Sequence, residues 1–124
     1  MGPDPGPAVE EGRPLKQYEI WWADLPEPVG RRPVLLLSRD AAYVQLSRIL
    51  VVEVTTTIRS IQVEVPLGLK EGLRQRSVAN LDNAGLVGRS RLRSRIGALA
   101  PDRHSEVKRA LGHALAWPEL TGVE

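Results

Sequence analysis

Short β-prone segments, each closed by proline, glycine or charged residues, follow one another from residue 18 almost to residue 99. Residues 49–57 are mostly β-branched, and residues 61–65 alternate apolar with polar side chains at the period of two that a half-buried strand requires. The segments lie too close together to leave room for the helices of βαβ units. The pattern therefore predicts an antiparallel sheet that curls into a small barrel.

We predict six strands and one helix. The last segment differs from the others, because Pro101 suits the first turn of a helix and Val107, Leu111, Ala114 and Leu115 recur at helical spacing. This amphipathic helix is expected to end before Pro118. The predicted strands cover residues 18–23, 33–38, 49–57, 61–65, 77–86 and 96–99. The expected fold class is mainly β, a small antiparallel β-barrel with one C-terminal helix.

One domain is expected between residues 17 and 117. Residues 1–16 contain four prolines, three glycines and almost no apolar side chains, so they are expected to form a disordered tail, and residues 118–124 a short C-terminal tail. The absence of cysteine excludes disulfides and thiolate metal sites. Apolar runs are far shorter than the roughly 18 to 20 residues of a membrane helix, and no secretory signal is visible. We therefore expect a cytoplasmic protein without a membrane partner.

The charges of the chain are segregated along its length. Residues 1–30 hold six acidic and two basic side chains, whereas residues 70–95 hold seven basic and two acidic ones. Arginine outnumbers lysine 14 to 3, and guanidinium binds phosphate through two parallel hydrogen bonds and stacks on bases. The arginine run at 89–95 is either a nucleic-acid surface or a solvated turn, and if it is extended its four arginines share one side.

Few side chains in this sequence suit metal or nucleophilic catalysis. His104 and His113 are the only imidazoles, and at nine residues apart on the predicted helix they point to opposite sides. This spacing excludes a two-histidine ribonuclease site, a histidine zinc site and a serine triad that uses both. The glycine spacing matches neither a P-loop nor a dinucleotide-binding loop. We therefore expect no metal and no cofactor.

A set of guanidinium, hydroxyl, carboxylate and amide groups remains on the strands that flank one loop. Together they suit a phosphate, although threonines are also ordinary strand formers. The set consists of Arg32, Thr55, Thr56, Thr57, Arg59, Ser77, Asp82 and Asn83. The adjacent Trp21 and Trp22 face opposite sides of a strand, so one of them is expected in the core.

Several segments, taken in order, resemble those of a known family. They include Tyr18-Glu19-Ile20-Trp21-Trp22-Ala23-Asp24-Leu25, Gly30-Arg31-Arg32-Pro33-Val34, Val54-Thr55-Thr56-Thr57-Ile58-Arg59, Glu71-Gly72-Leu73, Ser77-Val78-Ala79-Asn80-Leu81-Asp82-Asn83 and Arg95-Ile96-Gly97. Across about residues 18–117 the chain resembles the MazF/PemK family of toxin endoribonucleases. The resemblance implies an SH3-like β-barrel that forms a homodimer. It also implies a type II toxin–antitoxin system with a separate, MazE-like antitoxin.

The resemblance further implies metal-independent cleavage of single-stranded RNA at short specific sequences in messenger, transfer or ribosomal RNA. The ribose 2′-hydroxyl is expected to attack the adjacent phosphorus, leaving 2′,3′-cyclic phosphate and 5′-hydroxyl ends. Matched motif by motif, the family's catalytic arginine and threonine fall on Arg32 and Thr55. The residues expected to bind RNA are Arg31, Thr56, Thr57, Arg59, Ser77, Asp82 and Asn83.

The sequence departs from the family pattern before its second strand. Residues 26–31 replace a longer polar loop of the family, and Tyr18-Glu19 replaces Gly-Asp. The shorter loop leaves open a changed sequence preference, a weakened one, or a folded RNA substrate such as tRNA. Two other functions also stay open, since fold alone does not decide function. They are a CcdB-like poison of DNA gyrase without nuclease activity, and a catalytically silent barrel that binds RNA or an antitoxin.

Overall fold

The computed structural model describes residues 14–124, and most of the predicted N-terminal tail lies outside this part of the chain. The strands are β1 (Glu19–Asp24), β2 (Arg31–Leu36), β3 (Arg48–Thr55), β4 (Glu64–Leu67), β5 (Ser77–Gly88) and β6 (Leu92–Ala98). They form one antiparallel sheet in the order β4-β5-β3-β2-β1-β6, curled into a half-barrel. The mainly β, antiparallel fold with a C-terminal helix is thereby confirmed.

Three helices and three short 3₁₀ turns connect or follow these strands. The helices are α1 (Ala42–Gln45), α2 (His104–Leu115) and α3 (Pro118–Thr121), and the turns are Leu69–Glu71, Arg89–Arg91 and Pro101–Arg103. Helix α1 follows the second strand in a stretch for which the sequence predicted neither helix nor strand. As predicted, Pro101 opens the helical region, here as the first residue of a 3₁₀ turn.

Apolar side chains pack on both faces of the sheet, and strand alternation divides them. Ile20 of β1 packs with Val107 and Ala110 of α2. The next residue, Trp21, packs on the opposite face and is fully buried. The second face also holds Ala23, Val34, Leu36, Ile49, Val51, Val87 and Leu92. The prediction that one of the two adjacent tryptophans lies in the core is confirmed.

The turn Leu69–Glu71 follows β4 but lies against β6, and these two strands are the opposite edges of the sheet. A Cβ on Gly97 would stand 2.1 Å from the carbonyl oxygen of Glu71. A Cβ on Gly72, whose φ is +94°, would stand 2.5 Å from the carbonyl oxygen of Ile96. Only glycine permits so close a backbone approach. The two glycines therefore hold this turn against β6, where the residues after it form part of a cavity wall.

Strands β4 and β6 begin three and four residues away from their predicted starts, whereas the other strands begin within two residues of theirs. Strand β4 starts at Glu64 because its carboxylate accepts the backbone N–H groups of Arg59 and Ser60, at 3.0 and 2.8 Å, and keeps the preceding residues in a loop. Pro66 lies inside β4, which an edge strand tolerates because one of its sides makes no ladder bonds. Strand β6 starts at Leu92, after the turn Arg89–Arg91, so the arginine run does not form one extended face.

The residues at both ends of the domain contain more structure than the predicted tails. Helix α2 ends at Leu115, and α3 then packs on it at Gly112, where an added Cβ would stand 2.7 Å from the Cβ of Leu120. At the other end, Leu15 is buried in the cluster around Trp21. Within residues 14–124, no helix has both the length and the apolar character needed to cross a membrane.

Candidate active site

A cavity of about 570 Å³ lies where β1, β2 and β3 meet β6 and the residues that follow the turn Leu69–Glu71. Its polar lining residues are Arg32, Thr55, Thr56, Arg74, Gln75, Ser77 and Arg95. Trp22 adds an aromatic side chain to the wall. Of the residues predicted as functional, the structure brings Arg32, Thr55, Thr56 and Ser77 together here.

Arg32 reaches the cavity because of its place on β2. Its neighbour Arg31 points to the other side of the strand, where its Nε donates to Asp24 over 2.7 Å. Arg32 is half-buried, and its guanidinium lies 3.9 Å from the carboxylate of Glu53 on β3. Such a long contact between half-exposed groups is weak, so the Arg32 guanidinium keeps donors for an anion in the cavity.

Thr55 ends β3 at the cavity, and Thr56 follows it. The Thr55 Oγ1 accepts the backbone N–H of Thr57 at 3.1 Å, a local turn in which the hydroxyl oxygen is the acceptor. Because a hydroxyl has one proton of its own, Thr55 can still donate a hydrogen bond. The strand end therefore presents an oriented hydroxyl donor on the same wall as Arg32.

Ser77 begins β5 on another wall of the cavity. Its hydroxyl is buried and donates to the carbonyl of Gln75 at 3.1 Å. This bond closes the short loop that carries Arg74 and Gln75 into the cavity. Ser77 thus shapes the loop, and its oxygen still has acceptor capacity.

The cavity is cationic. Three arginines line it, Arg32, Arg74 and Arg95, and no acidic residue among residues 14–124 does so. Positive charges around a concave surface concentrate anions there. Trp22 offers a flat apolar surface beside these cations, a combination that suits a nucleotide, whose base stacks and whose phosphate pairs with arginine.

Other residues predicted to bind RNA lie outside the cavity, so their assignment stays a prediction. Arg31 pairs with Asp24 on the far side of β2, and Thr57 and Arg59 lie in the loop after β3. Asp82 and Asn83 are exposed on β5, beyond the last residue that pairs with β4.

Sequence reasoning about the site missed Trp22, Arg74, Gln75 and Arg95. Trp22 and Arg95 had local signals, an aromatic strand motif and an arginine run. Arg74 and Gln75 had none, because their position depends on the turn held against β6 by Gly72 and Gly97.

The short loop between β1 and β2 folds back on itself and leaves the cavity open on that side. The backbone N–H of Leu25 donates to the carbonyl of Gly30 at 3.0 Å, and that of Val29 to Pro26 at 3.1 Å. None of residues 26–30 lines the cavity. A ligand can therefore extend past the cavity without displacing this loop.

Neither histidine takes part in this site. The ring of His104 stacks on that of Tyr18 with centroids 3.5 Å apart, and its Nε2 lies 3.0 Å from the carbonyl oxygen of Leu99. His113 also lies outside the cavity lining. The cavity therefore relies on guanidinium and hydroxyl groups from this chain.

A curled antiparallel sheet that gathers arginines, hydroxyls and a tryptophan around a cavity, with no acidic side chain from residues 14–124 in its lining, defines a small protein whose site suits a phosphodiester chain. A family model describes such proteins as the PemK-like, MazF-like toxin of the type II toxin–antitoxin system, and it matches residues 16–115. The chain belongs to this family. The resemblance seen in the sequence is therefore confirmed.

Individual relatives agree with this assignment. The probable endoribonuclease MazF5 of Mycobacterium tuberculosis is 44% identical over 94 residues, which cover 75% of this chain and 85% of the relative. Endoribonuclease MazF3 of the same species is 35% identical over 83 residues, covering 67% and 81%.

Solved structures show the same fold. The Mycobacterium tuberculosis toxin MazF-mt6 matches with a TM-score of 0.74 at 33% identity, over 84% of this chain and 97% of that chain. An endoribonuclease in complex with its cognate antitoxin from mycobacterial species also has a TM-score of 0.74, at 28% identity and the same coverage.

Proposed function

We propose that this toxin is a metal-independent endoribonuclease that cleaves single-stranded RNA at short specific sequences. The observation that carries the proposal is the meeting of Arg32, Thr55 and Ser77, from three different strands, in one cationic cavity. The relatives named endoribonucleases support it. An enzyme that acts on one strand needs access to unpaired bases, and Trp22 offers a stacking surface for one of them.

In the proposed reaction the nucleophile is the ribose 2′-hydroxyl of the RNA itself. A bond forms between the 2′-oxygen and phosphorus while the bond from phosphorus to the 5′-oxygen breaks. The 2′-hydroxyl loses its proton, and the departing 5′-oxygen gains one. The products are a 2′,3′-cyclic phosphate and a 5′-hydroxyl end.

Arg32 and Thr55 stabilise the negative charge that builds up on the phosphoryl oxygens. Arg32 supplies a permanent positive charge, and Thr55 can donate its hydroxyl proton, since its oxygen is the acceptor in the bond from the N–H of Thr57. Loss of one such preorganised donor costs about 10²- to 10³-fold in rate. A guanidinium group stays protonated in proteins, so the role proposed for Arg32 is electrostatic rather than proton transfer.

The proposed partners follow from the family. A separate, MazE-like antitoxin is expected to bind this chain, as an antitoxin does in the mycobacterial endoribonuclease complex. An acidic partner would be attracted by the three arginines of the cavity. We further propose a cytoplasmic homodimer, in keeping with a substrate of cellular RNA.

Incubation of the purified protein with a mixed single-stranded RNA pool in EDTA tests this function. We expect cleavage that leaves 5′-hydroxyl ends, reduced about 10²- to 10³-fold in both Arg32→Ala and Thr55→Ala. The matched control is Arg48→Ala, because Arg48 is exposed on the same strand as Thr55 but about 23 Å away along it. The control should retain wild-type activity.

The opposite results are equally informative. Failure of the folded wild-type protein to cut this pool or total cellular RNA would contradict the nuclease proposal. It would favour a gyrase poison or a silent binding protein. Equal activity in wild type and Arg32→Ala would remove Arg32 from the reaction.

A further inference from the structure

Arg95 of β6 lines the cavity, but the reaction proposed above does not use it. Its Nε donates to the Oε2 of Glu19 at 2.8 Å. Glu19 is itself held, because its Oε1 accepts the indole N–H of Trp21 at 3.1 Å and the backbone N–H of Lys16 at 3.0 Å. The Glu19 side chain is only 12% exposed, so the carboxylate that orients Arg95 has a defined place.

This contact occupies only part of the Arg95 guanidinium. Within residues 14–124, its two Nη groups make no hydrogen bond. The side chain is 31% exposed, on the wall of the cavity. Its remaining N–H donors are therefore available to a ligand there.

A β-bulge explains why Arg95 reaches the cavity. The pairing of β1 with β6 shifts between Ile20 and Trp21, so that Ile20 pairs with Gly97 and Trp21 with Arg95. Ile96 has no partner, and both it and Arg95 line the cavity, although consecutive strand residues normally face opposite sides. Bulges commonly re-aim side chains in this way next to functional sites.

Arg93, two residues earlier on the same strand, shows the contrast. Its Nε donates to the Oδ2 of Asp24 at 2.6 Å, and its Nη2 contacts the same oxygen. It does not line the cavity. Two arginines of β6 thus both pair with an acid of β1, but only Arg95 also faces the cavity.

Arg95 and Arg32 reach the cavity from strands on either side of β1. Strand β1 separates β2 from β6, so the two backbones lie about 10 Å apart, two interstrand spacings. The Glu19 contact holds the Arg95 side chain on its own side. In the proposed reaction Arg32 binds the scissile phosphate, so an arginine at this distance from Arg32 is placed for a neighbouring phosphate of the same RNA strand.

We propose that Arg95 binds an RNA phosphate next to the scissile one, and that Glu19 is the positioning residue that orients it. This inference rests on the proposed ribonuclease function and adds a binding site to it. Arg95 then contributes to the affinity for RNA, whereas Arg32 and Thr55 act on the reacting phosphate. Loss of Arg95 should therefore raise KM and leave kcat nearly unchanged.

Steady-state cleavage of an RNA oligonucleotide carrying a cleavage site mapped with the wild type tests the proposal. We expect Arg95→Gln to raise KM about tenfold or more, because it removes a charged hydrogen bond to the RNA. Its kcat should stay within about threefold of the wild-type value. The dependence of log affinity on log salt should flatten by about 0.7, the value for one phosphate contact on a single strand. Arg93→Gln is the matched control and should change neither KM nor the salt dependence.

Two further variants separate binding from a structural role. Arg95→Lys keeps the charge, so it should keep the salt dependence while KM rises less than in Arg95→Gln. Glu19→Gln should raise KM severalfold without changing the salt dependence, because the Arg95 charge remains. Both variants also supply the test if Arg95→Gln does not fold.

The outcomes distinguish this inference from the function on which it rests. If the wild type cleaves but Arg95→Gln lowers only the melting temperature, with KM and salt dependence unchanged, Arg95 is structural and the inference is wrong. If Arg95→Gln lowers kcat as strongly as Arg32→Ala, Arg95 belongs to the reacting phosphate instead. If the wild type cuts no RNA, the ribonuclease function itself fails.

Discussion

Replacement of Arg103 by methionine tests how the cavity wall is held against the C-terminal helix. The Arg103 guanidinium lies 3.2 Å from the carboxylate of Glu71 and donates to the carbonyl of Pro66 at 2.6 Å. It also donates to both carboxylate oxygens of Glu106, at 2.8 and 2.7 Å. Glu71 ends the turn that leads into the cavity residue Leu73. Arg103 thus connects the helix to the cavity wall.

The expected loss follows from the burial of Glu71. This residue is only 5% exposed, and its Oε1 accepts the backbone N–H of Gly68 at 2.6 Å. Methionine keeps the aliphatic bulk of Arg103 but leaves the carboxylate without its cation, and breaking a buried pair costs about 3–5 kcal/mol. The Arg103 side chain is 26% exposed, so water replaces part of the lost interaction. We therefore expect a loss of about 2–3 kcal/mol in the free energy of unfolding.

Urea unfolding followed by tryptophan fluorescence measures this loss, together with a fall in melting temperature of at least about 8 °C. The matched control is Arg109→Met on helix α2, because within residues 14–124 the hydrogen bonds of Arg109 go to the neutral oxygens of Val123 and Ser105. It should lose about 1 kcal/mol or less. Adding Glu71→Gln to Arg103→Met should restore stability, since a neutral amide oxygen still accepts the Gly68 N–H. Equal free energies of unfolding for Arg103→Met and Arg109→Met would refute this reasoning.

Two further predictions concern the ends of β1. Tyr18 has a φ of 72° and its ring stacks on His104. Valine is β-branched and cannot stack, so Tyr18→Val should lower the free energy of unfolding, measured in urea, by about 2 kcal/mol, and Tyr18→Phe should lower it less. Equal losses in the two variants would contradict this. Hydrogen bonds from Arg31 and then Arg93 lower the pKa of Asp24. A carboxyl whose pKa is lowered by folding stabilises the native state above its unfolded pKa of about 4, and this contribution is lost as the pH falls through the native pKa. The stability difference between wild type and Asp24→Asn, measured by urea unfolding from pH 7 to pH 2, should therefore shrink on acidification, and a constant difference would show that Asp24 does not titrate in this way.

The open cavity beside the short β1–β2 loop bears on the class of RNA that this toxin accepts. The loop closes on itself through the contacts of Leu25 and Val29, and it covers no part of the cavity. Specificity must then come from the cavity walls and from residues farther along the RNA path. Mapping the cleavage sites in messenger, transfer and ribosomal RNA separately would identify the class.

Local periodicity was sufficient to predict most of the fold from the sequence. Alternation in β1 predicted that Trp21 and Trp22 face opposite sides, and the burial of Trp21 agrees. The β-branched run before Thr55 predicted the long central strand β3. Such signals are reliable because side-chain direction within one strand depends only on neighbouring residues. The motifs around Arg32 and Thr55 likewise identified the family and, with it, the two residues now proposed to act on the phosphate.

Only the tertiary structure decided which side chains share the cavity. Arg95 faces it because of a bulge in the pairing of β6 with β1, and the sequence does not record register. Arg74 reaches it because the turn just before it, Leu69–Glu71, packs on Gly97 of β6, which is far from that turn in the sequence. Asp82 and Asn83, although close to Ser77 in sequence, lie elsewhere because β5 carries them past the end of β4. Membership of the cavity is set by contacts between distant segments, whereas sequence patterns report on neighbours along the chain.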